Sequence, residues 1–333
     1  MITRRHDFVL PIRTPENLRD FISVSFGIAI PDTQVCENHS TPWRAFCDAY
    51  FAKSSTSVWK ASRGFGGKTF LLGLLALVEA LTLKASVTVL GGSGEQSQRV
   101  LDHLTKFWQY KDAPRQLLRS DIQREMRFAW GNTIEALMAS TKSARGAHPQ
   151  RLRLDEVDEM SLDILDAATG QPMTANGIET QTVMSSTHQY AGGTMTEVLR
   201  RAAERGWNLH EWCYRENLSP HGWLLQAEVD RKRGDVTRAM WENEYELQEP
   251  SPESRAIDSP SVAAMFRREL GEFAGEARQY IEIEAPAPEY SYITGADWAK
   301  TNNWTIIITF RCGRIVTDEN NLQMKIPARL VAF

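Results

Sequence analysis

The spacing of apolar residues changes period several times along this chain. Apolar positions three and four apart predict amphipathic helices at 43–51 (WRAFCDAYF) and at 93–107, the latter through Val100, Leu101 and Leu104. A nearly continuous apolar stretch at 70–83 predicts a buried helix. Between them lie short β-rich runs at 57–59, at 85–90 (ASVTVL) before Gly91-Gly92, and at 181–185. Residues 127–130 and 133–138, split by Gly131-Asn132, read as a hairpin. A short strand at 152–154 and a long helical stretch precede the strand at 181–185, and an N-terminal arm holds some helix at 15–22. Strands alternating with helices predict an α/β fold with a mostly parallel sheet flanked by helices.

Toward the C-terminus the pattern breaks up. Residues 222–247 form two helical patterns broken at Gly234. Pro and Ser cluster at 249–260, and Ala285-Pro286-Ala287-Pro288 is a second interruption, read as a domain boundary. The expected organisation is a core over 1–215, a small helical lid or linker over 216–285, and a further domain over 286–333.

Composition narrows the class. The chain has 333 residues, 42% apolar and 24% charged, with a net charge of −4. That balance describes a soluble globular protein without a wholesale basic coat, though it leaves room for a local basic track. Arg231-Lys232-Arg233 is the densest basic run, equally a solvated helix face or a nucleic-acid contact. No signal peptide is visible, and the Leu-rich run at 71–83 is too short for a bilayer and carries Glu79. Four cysteines form no CxxC pair, which suits a reducing cytoplasm. Cys36-x-x-His39 with Cys47 is a fragment of a zinc pattern, read here as ordinary thiols and a loop histidine.

The chemistry concentrates in 58–72, VWKASRGFGGKTFLL. A strand enters a glycine-rich turn, Lys-Thr follows, and an apolar helix begins. That is the order of a P-loop nucleotide site. Gly64, Gly66 and Gly67 let backbone N–H groups converge on phosphate oxygens. Lys68 faces the β- and γ-phosphates, Thr69 supplies a hydroxyl for Mg²⁺, and the helix N-terminus favours the anion. Ser62 stands where GxxxxGK[ST] has its first glycine, and Arg63 inside the loop adds positive charge toward phosphate.

A P-loop needs an acidic strand end as its second half. Leu152-Arg153-Leu154-Asp155-Glu156 supplies one, with Asp155 expected to hold the metal and Glu156 to polarise water. Taken alone, Asp155-Glu156-Val157-Asp158-Glu159 is equally a solvated helix start. Asp158 and Glu159 are expected at the surface. Arg145, in Ser143-Ala144-Arg145-Gly146, is either a surface arginine or one that neutralises charge on a transferring phosphoryl group. Ser185-Ser186-Thr187, at a strand end, either senses the γ-phosphate or caps a helix.

Taken in order, SRGFGGKT (62–69), SARG (143–146), LRLDE (152–156), SST (185–187) and YITGADWA (292–299) resemble the large subunit of tailed-bacteriophage terminases. The resemblance spans most of 40–333. It implies a P-loop NTPase of the ASCE/RecA-like class that uses ATP and Mg²⁺ to translocate double-stranded DNA into a procapsid. It makes Arg63 or Arg145 the arginine finger and Ser185, Ser186 and Thr187 the motif coupling hydrolysis to movement. It implies portal protein and small terminase subunit as partners, a homo-oligomeric ring or a monomer alone, and the host cytoplasm, with no membrane. It also makes 286–333 the first strands of a ribonuclease-H-like nuclease domain using Mg²⁺ or Mn²⁺, with Asp297 one ligand. After Asp297 the acids are Asp318 and Glu319, both expected in a hairpin loop. Too few carboxylates remain for two metals, so this chain is expected to be cut off inside that domain and not to cleave DNA. Two other readings stay open: another nucleic-acid-dependent P-loop ATPase of helicase type, and a nucleotide-dependent assembly switch. Glu156 argues against the switch.

Overall fold

The computed structural model describes residues 12–119, 125–140, 148–250, 287–288, 290–297, 306–312, 316–317, 324–325 and 328–332. The chain divides into two compact units, 1–255 and 256–333.

In the first unit seven strands form one sheet: β1 (Thr56–Ala61), β2 (Val87–Gly91), β3 (Glu125–Arg127), β4 (Thr133–Met138), β5 (Arg151–Asp155), β6 (Gln181–Ser186) and β7 (Asn208–Trp212). Their order is β3-β4-β2-β5-β6-β1-β7. Every pairing is parallel except the β3–β4 hairpin. Neighbouring residues of a strand enter opposite cores. Trp59, Val89 and Val183 pack with helices α1 (Pro15–Phe26), α2 (Pro42–Tyr50), α3 (Lys68–Thr82) and α4 (Gly94–Gln109). Val58, Leu90 and Met184 pack with α5 (Leu162–Thr169) and α6 (Thr194–Arg205). Burial on both faces suits the parallel pairing, and β2 (VTVLG) comes nearest to a continuous apolar run.

Helix α3 is apolar on nearly every side because it is enclosed. Its single buried acid, Glu79, pairs with Arg153 at 2.5 Å and Arg151 at 3.4 Å, both on β5. Charges buried this deeply require partners, and the pairing fastens the helix after the glycine-rich loop to the acidic strand. Among the described residues no helix is long and apolar enough to cross a membrane.

Three expectations shift. The helical stretch after β5 is short: a 3₁₀ turn (Val157–Glu159) and the eight-residue α5, stopped by Gly170 and Pro172 before a turn with Asn176 and Gly177 at positive φ. Helix α7 (Gln226–Asp235) runs through Gly234, and the break comes at Val236. There the Thr237 hydroxyl accepts the Met240 N–H and caps a new turn that continues as a π-type turn, Trp241–Tyr245. Strand β7 and helix α6 went unpredicted.

The second unit contains β8 (Ser291–Asp297), β9 (Ile306–Cys312), β10 (Val316–Thr317), β11 (Met324–Lys325) and β12 (Ala328–Ala332). Strands β12, β9 and β8 form an antiparallel sheet in that order, and β10 pairs with β11. Asp297 ends β8, with its backbone opposite Ile306. Asp318 and Glu319 lie outside the described residues.

Candidate nucleotide-binding and hydrolysis site

Strand β1 delivers the glycine-rich loop to the C-terminal edge of the sheet, and α3 begins directly after it. Gly64 and Gly67 adopt left-handed φ of 66° and 67°, which an L side chain would strain. A Cβ on Gly66 would come within 2.6 Å of the Ser62 carbonyl oxygen, so this position tolerates no side chain. Lys68 is buried, donating to the carbonyls of Ala61 (3.0 Å) and Ser62 (3.3 Å), with its Nζ 3.8 Å from Glu156 Oε1.

Strand β6 lies between β1 and β5, so the two halves of the site stand one strand apart. Asp155, Ser185 and Trp59 share one level across the three strands. Fully buried Asp155 accepts from Thr69 Oγ1 and from Ser185 Oγ, each at 2.7 Å. Burial and the adjacent Glu156 charge push its carboxyl up to about 6, against the pull of Thr69, Ser185 and Lys68. Glu156 holds a left-handed backbone (φ 54°), a conformation costing a non-glycine residue roughly 1–2 kcal/mol. Its Oε2 accepts from Ser186 Oγ at 3.3 Å. Ser185, Ser186 and Thr187 are all fully buried, and Thr187 Oγ1 accepts from the Gln189 side-chain amide.

Asp158 is not at the surface. Its carboxylate accepts the backbone N–H groups of Gln189 (2.8 Å), Tyr190 (3.1 Å) and Met195 (2.7 Å), and it is buried because it satisfies that loop. Glu159 is exposed as expected. Arg63 donates to Glu244 at 2.7 Å. Arg145 lies outside the described residues, and of Asp297 only the backbone is described.

The loop's other flank is built from residues the sequence did not single out. Trp212 Nε1 donates to the Gly66 carbonyl (2.8 Å), Asn217 Nδ2 to the Phe65 carbonyl (2.6 Å), and Ser62 Oγ to the Tyr245 carbonyl (2.5 Å). The serine in place of the motif's first glycine is therefore a tether. A cavity of about 770 Å³ opens over Gly64, Gly67, Lys68, Thr69, Arg63 and Glu156, the size of a small-molecule site. Trp223 and Phe70, with ring centroids 5.7 Å apart, and Ile28, Arg99 and His103 are among the other residues of its wall. Trp223 lies in a loop and is 41% exposed, which the sequence does not show.

Neither a family model nor a curated protein sequence matches the chain. Among solved structures it is similar to the large terminase of bacteriophage HK97, with 15% identity and a TM-score of 0.56, over 97% of this chain and 68% of that one. It is also similar to the large terminase of a thermophilic bacteriophage, at 14% identity and a TM-score of 0.50 over 80% of this chain. The chain spans 64% of that second protein's length. The chain shares the fold of these phage large terminases.

Proposed function

We propose that the chain is the motor part of a phage large terminase, an ATPase that drives double-stranded DNA into a procapsid. One observation carries the reading: Lys68, Thr69, Asp155, Glu156 and Ser185 converge beside a phosphate-binding loop, with the two halves of the site one strand apart. Convergence of a loop lysine, a hydroxyl and two strand-end carboxylates suits phosphoryl transfer to water.

In this mechanism Lys68 leaves the Ala61 and Ser62 carbonyls and turns to the β- and γ-phosphates. Thr69 Oγ1 and the Asp155 carboxylate, hard oxygen donors already 2.7 Å apart, fit Mg²⁺. When bound there, Mg²⁺ would neutralise charge on the phosphate oxygens. Glu156 orients the attacking water and takes its proton. The Trp223 and Phe70 faces offer a stacking surface for the adenine.

Ser185 and Ser186 hydrogen-bond the two acids and lead through Thr187 into the loop that Asp158 holds by three N–H groups. Loss of the γ-phosphate would be relayed along that path. The arginine finger is Arg63, freed from Glu244, or Arg145. Residues 286–333 belong to a ribonuclease-H-like domain in which Asp297 is a ligand for Mg²⁺ or Mn²⁺. Portal protein, the small terminase subunit and further copies of the chain are the proposed partners, in the host cytoplasm.

The test is ATP hydrolysis by the chain with and without duplex DNA. Stimulation by duplex without strand separation is expected. Strand separation would assign a helicase instead, and tight nucleotide binding without turnover would assign an assembly switch.

A further inference from the structure

On the β7 side of the first unit, away from the phosphate chemistry, four side chains of metal-ligating type converge. Cys36 and His39 come from the loop before α2, while Cys213 and Glu216 lie on the turn that follows β7. Their sulfur, nitrogen and carboxylate oxygen atoms all lie within 4.8 Å of one another. Each pair is separated by two residues, so two short C-x-x-ligand turns face each other across 177 residues of sequence.

The distances suit a tetrahedral ion. Cys36 Sγ and Cys213 Sγ are 3.8 Å apart. Two thiolates each about 2.3 Å from zinc at a tetrahedral angle stand about 3.8 Å apart. A disulfide needs sulfurs about 2.05 Å apart. His39 Nδ1 and Glu216 Oε2 stand 3.1 Å apart, near the roughly 3.3 Å expected for two bonds of about 2.0 Å.

The surroundings also suit a closed structural site. Cys213 and Glu216 are fully buried, and Cys36 and His39 are partly covered. The Arg215 N–H donates to Cys213 Sγ at 3.4 Å, and its guanidinium lies 3.9 Å from Cys36 Sγ, adding positive charge beside an anionic ligand set. Glu216 also accepts the backbone N–H groups of Cys36 and Cys213, each at 2.9 Å. That clamp explains the buried carboxylate, but not why two sulfurs and an imidazole nitrogen meet beside it. Cys47, which sequence spacing had associated with Cys36 and His39, packs instead in the hydrophobic core.

We infer that Cys36, His39, Cys213 and Glu216 form a structural zinc site. Binding of Zn²⁺ releases the two thiol protons to solvent and takes His39 as the neutral imidazole ligating through Nδ1, with its N–H on Nε2, and involves no change of oxidation state. The site fastens the loop before α2 to the segment whose flanking residues, Trp212 and Asn217, hold the phosphate loop. It does not depend on the identity of the nucleotide or on any DNA substrate.

The experiment is metal analysis of the full chain, purified under reducing conditions from zinc-supplemented medium, followed by replacement with cobalt(II). One zinc per chain is expected, with thiolate-to-cobalt charge-transfer absorption and intense tetrahedral d–d bands. Cys36→Ser, at the partly exposed ligand, should keep the fold but lose stoichiometric zinc and weaken the charge-transfer band, while Cys47→Val keeps both. Chelation should lower the thermal midpoint of the wild-type chain and leave that of Cys36→Ser unmoved. A folded wild-type chain with substoichiometric zinc and no thiolate–cobalt bands would overturn the site. So would a metal-free Cys36–Cys213 disulfide found by mass spectrometry.

Discussion

The glycine-rich loop is held from two sides, and the two flanks are built differently. Toward β6 and β5 it meets the side chains to which the proposed mechanism assigns chemistry: Asp155 on Thr69, Glu156 beside Lys68, and Ser185 and Ser186 behind both acids. Toward β7 and the 213–245 segment it meets an indole, an amide and a main-chain carbonyl, which grip Gly66, Phe65 and Ser62. The first flank places groups whose charge can change during a reaction. The second fixes the shape of a loop whose glycines would otherwise sample many conformations. If the proposed mechanism holds, mutations on the two sides should separate into losses of rate and losses of order.

The largest effect is expected from Lys68→Ala, which removes the cation proposed to face the phosphates and should reduce phosphate release to background. Wild-type turnover in that variant would end the P-loop reading of this flank. Glu156→Gln should still bind ATP but hydrolyse it roughly 10²-fold or more slowly, the scale of a lost general base. Binding and single-turnover rates measured together check this, since equal loss of both would make Glu156 a structural residue.

Asn217→Ala, on the opposite flank, leaves the Phe65 carbonyl without its donor and should cost about 1–3 kcal/mol of stability. Its signature should be a raised KM and a lower Tm, with kcat falling far less than in Glu156→Gln. A collapse of kcat alone would erase the distinction between the flanks. The smallest effect belongs to Ser62→Gly, which restores the motif glycine but deletes the tether to Tyr245, costing about 1 kcal/mol in a thermal shift. A more stable glycine variant would show that Ser62 is no tether.

The reactive flank was legible because its residue types are rare in combination: glycines before Lys-Thr, and an Asp-Glu pair ending an apolar strand. The framing flank was not, because Trp212, Asn217 and Tyr245 belong to no local motif and reach the loop across 146 to 183 positions of sequence. Cys213 escaped for the same reason, although Cys36-x-x-His39 was visible. Asp158 was misread because an acid within an acidic run gives no sign that three N–H groups from residues 189–195 require it. Strand β7 is a short edge strand of mixed polarity, with Leu209 43% exposed, so its pattern carried little signal.

The distant anchoring of the loop bears on the order in which the chain matures. During synthesis residues 62–69 leave the ribosome early, but their anchors at 212, 217 and 245 follow much later. Until then the loop has its sequence without its shape, and contacts of such long sequence separation form slowly. The nascent chain should therefore acquire nucleotide affinity abruptly, once Tyr245 is free to dock, and a fragment ending before that residue should carry the full glycine-lysine motif yet retain little ATP. Competence to burn fuel would then arrive only after the sheet's last strand and the segment beyond it are in place.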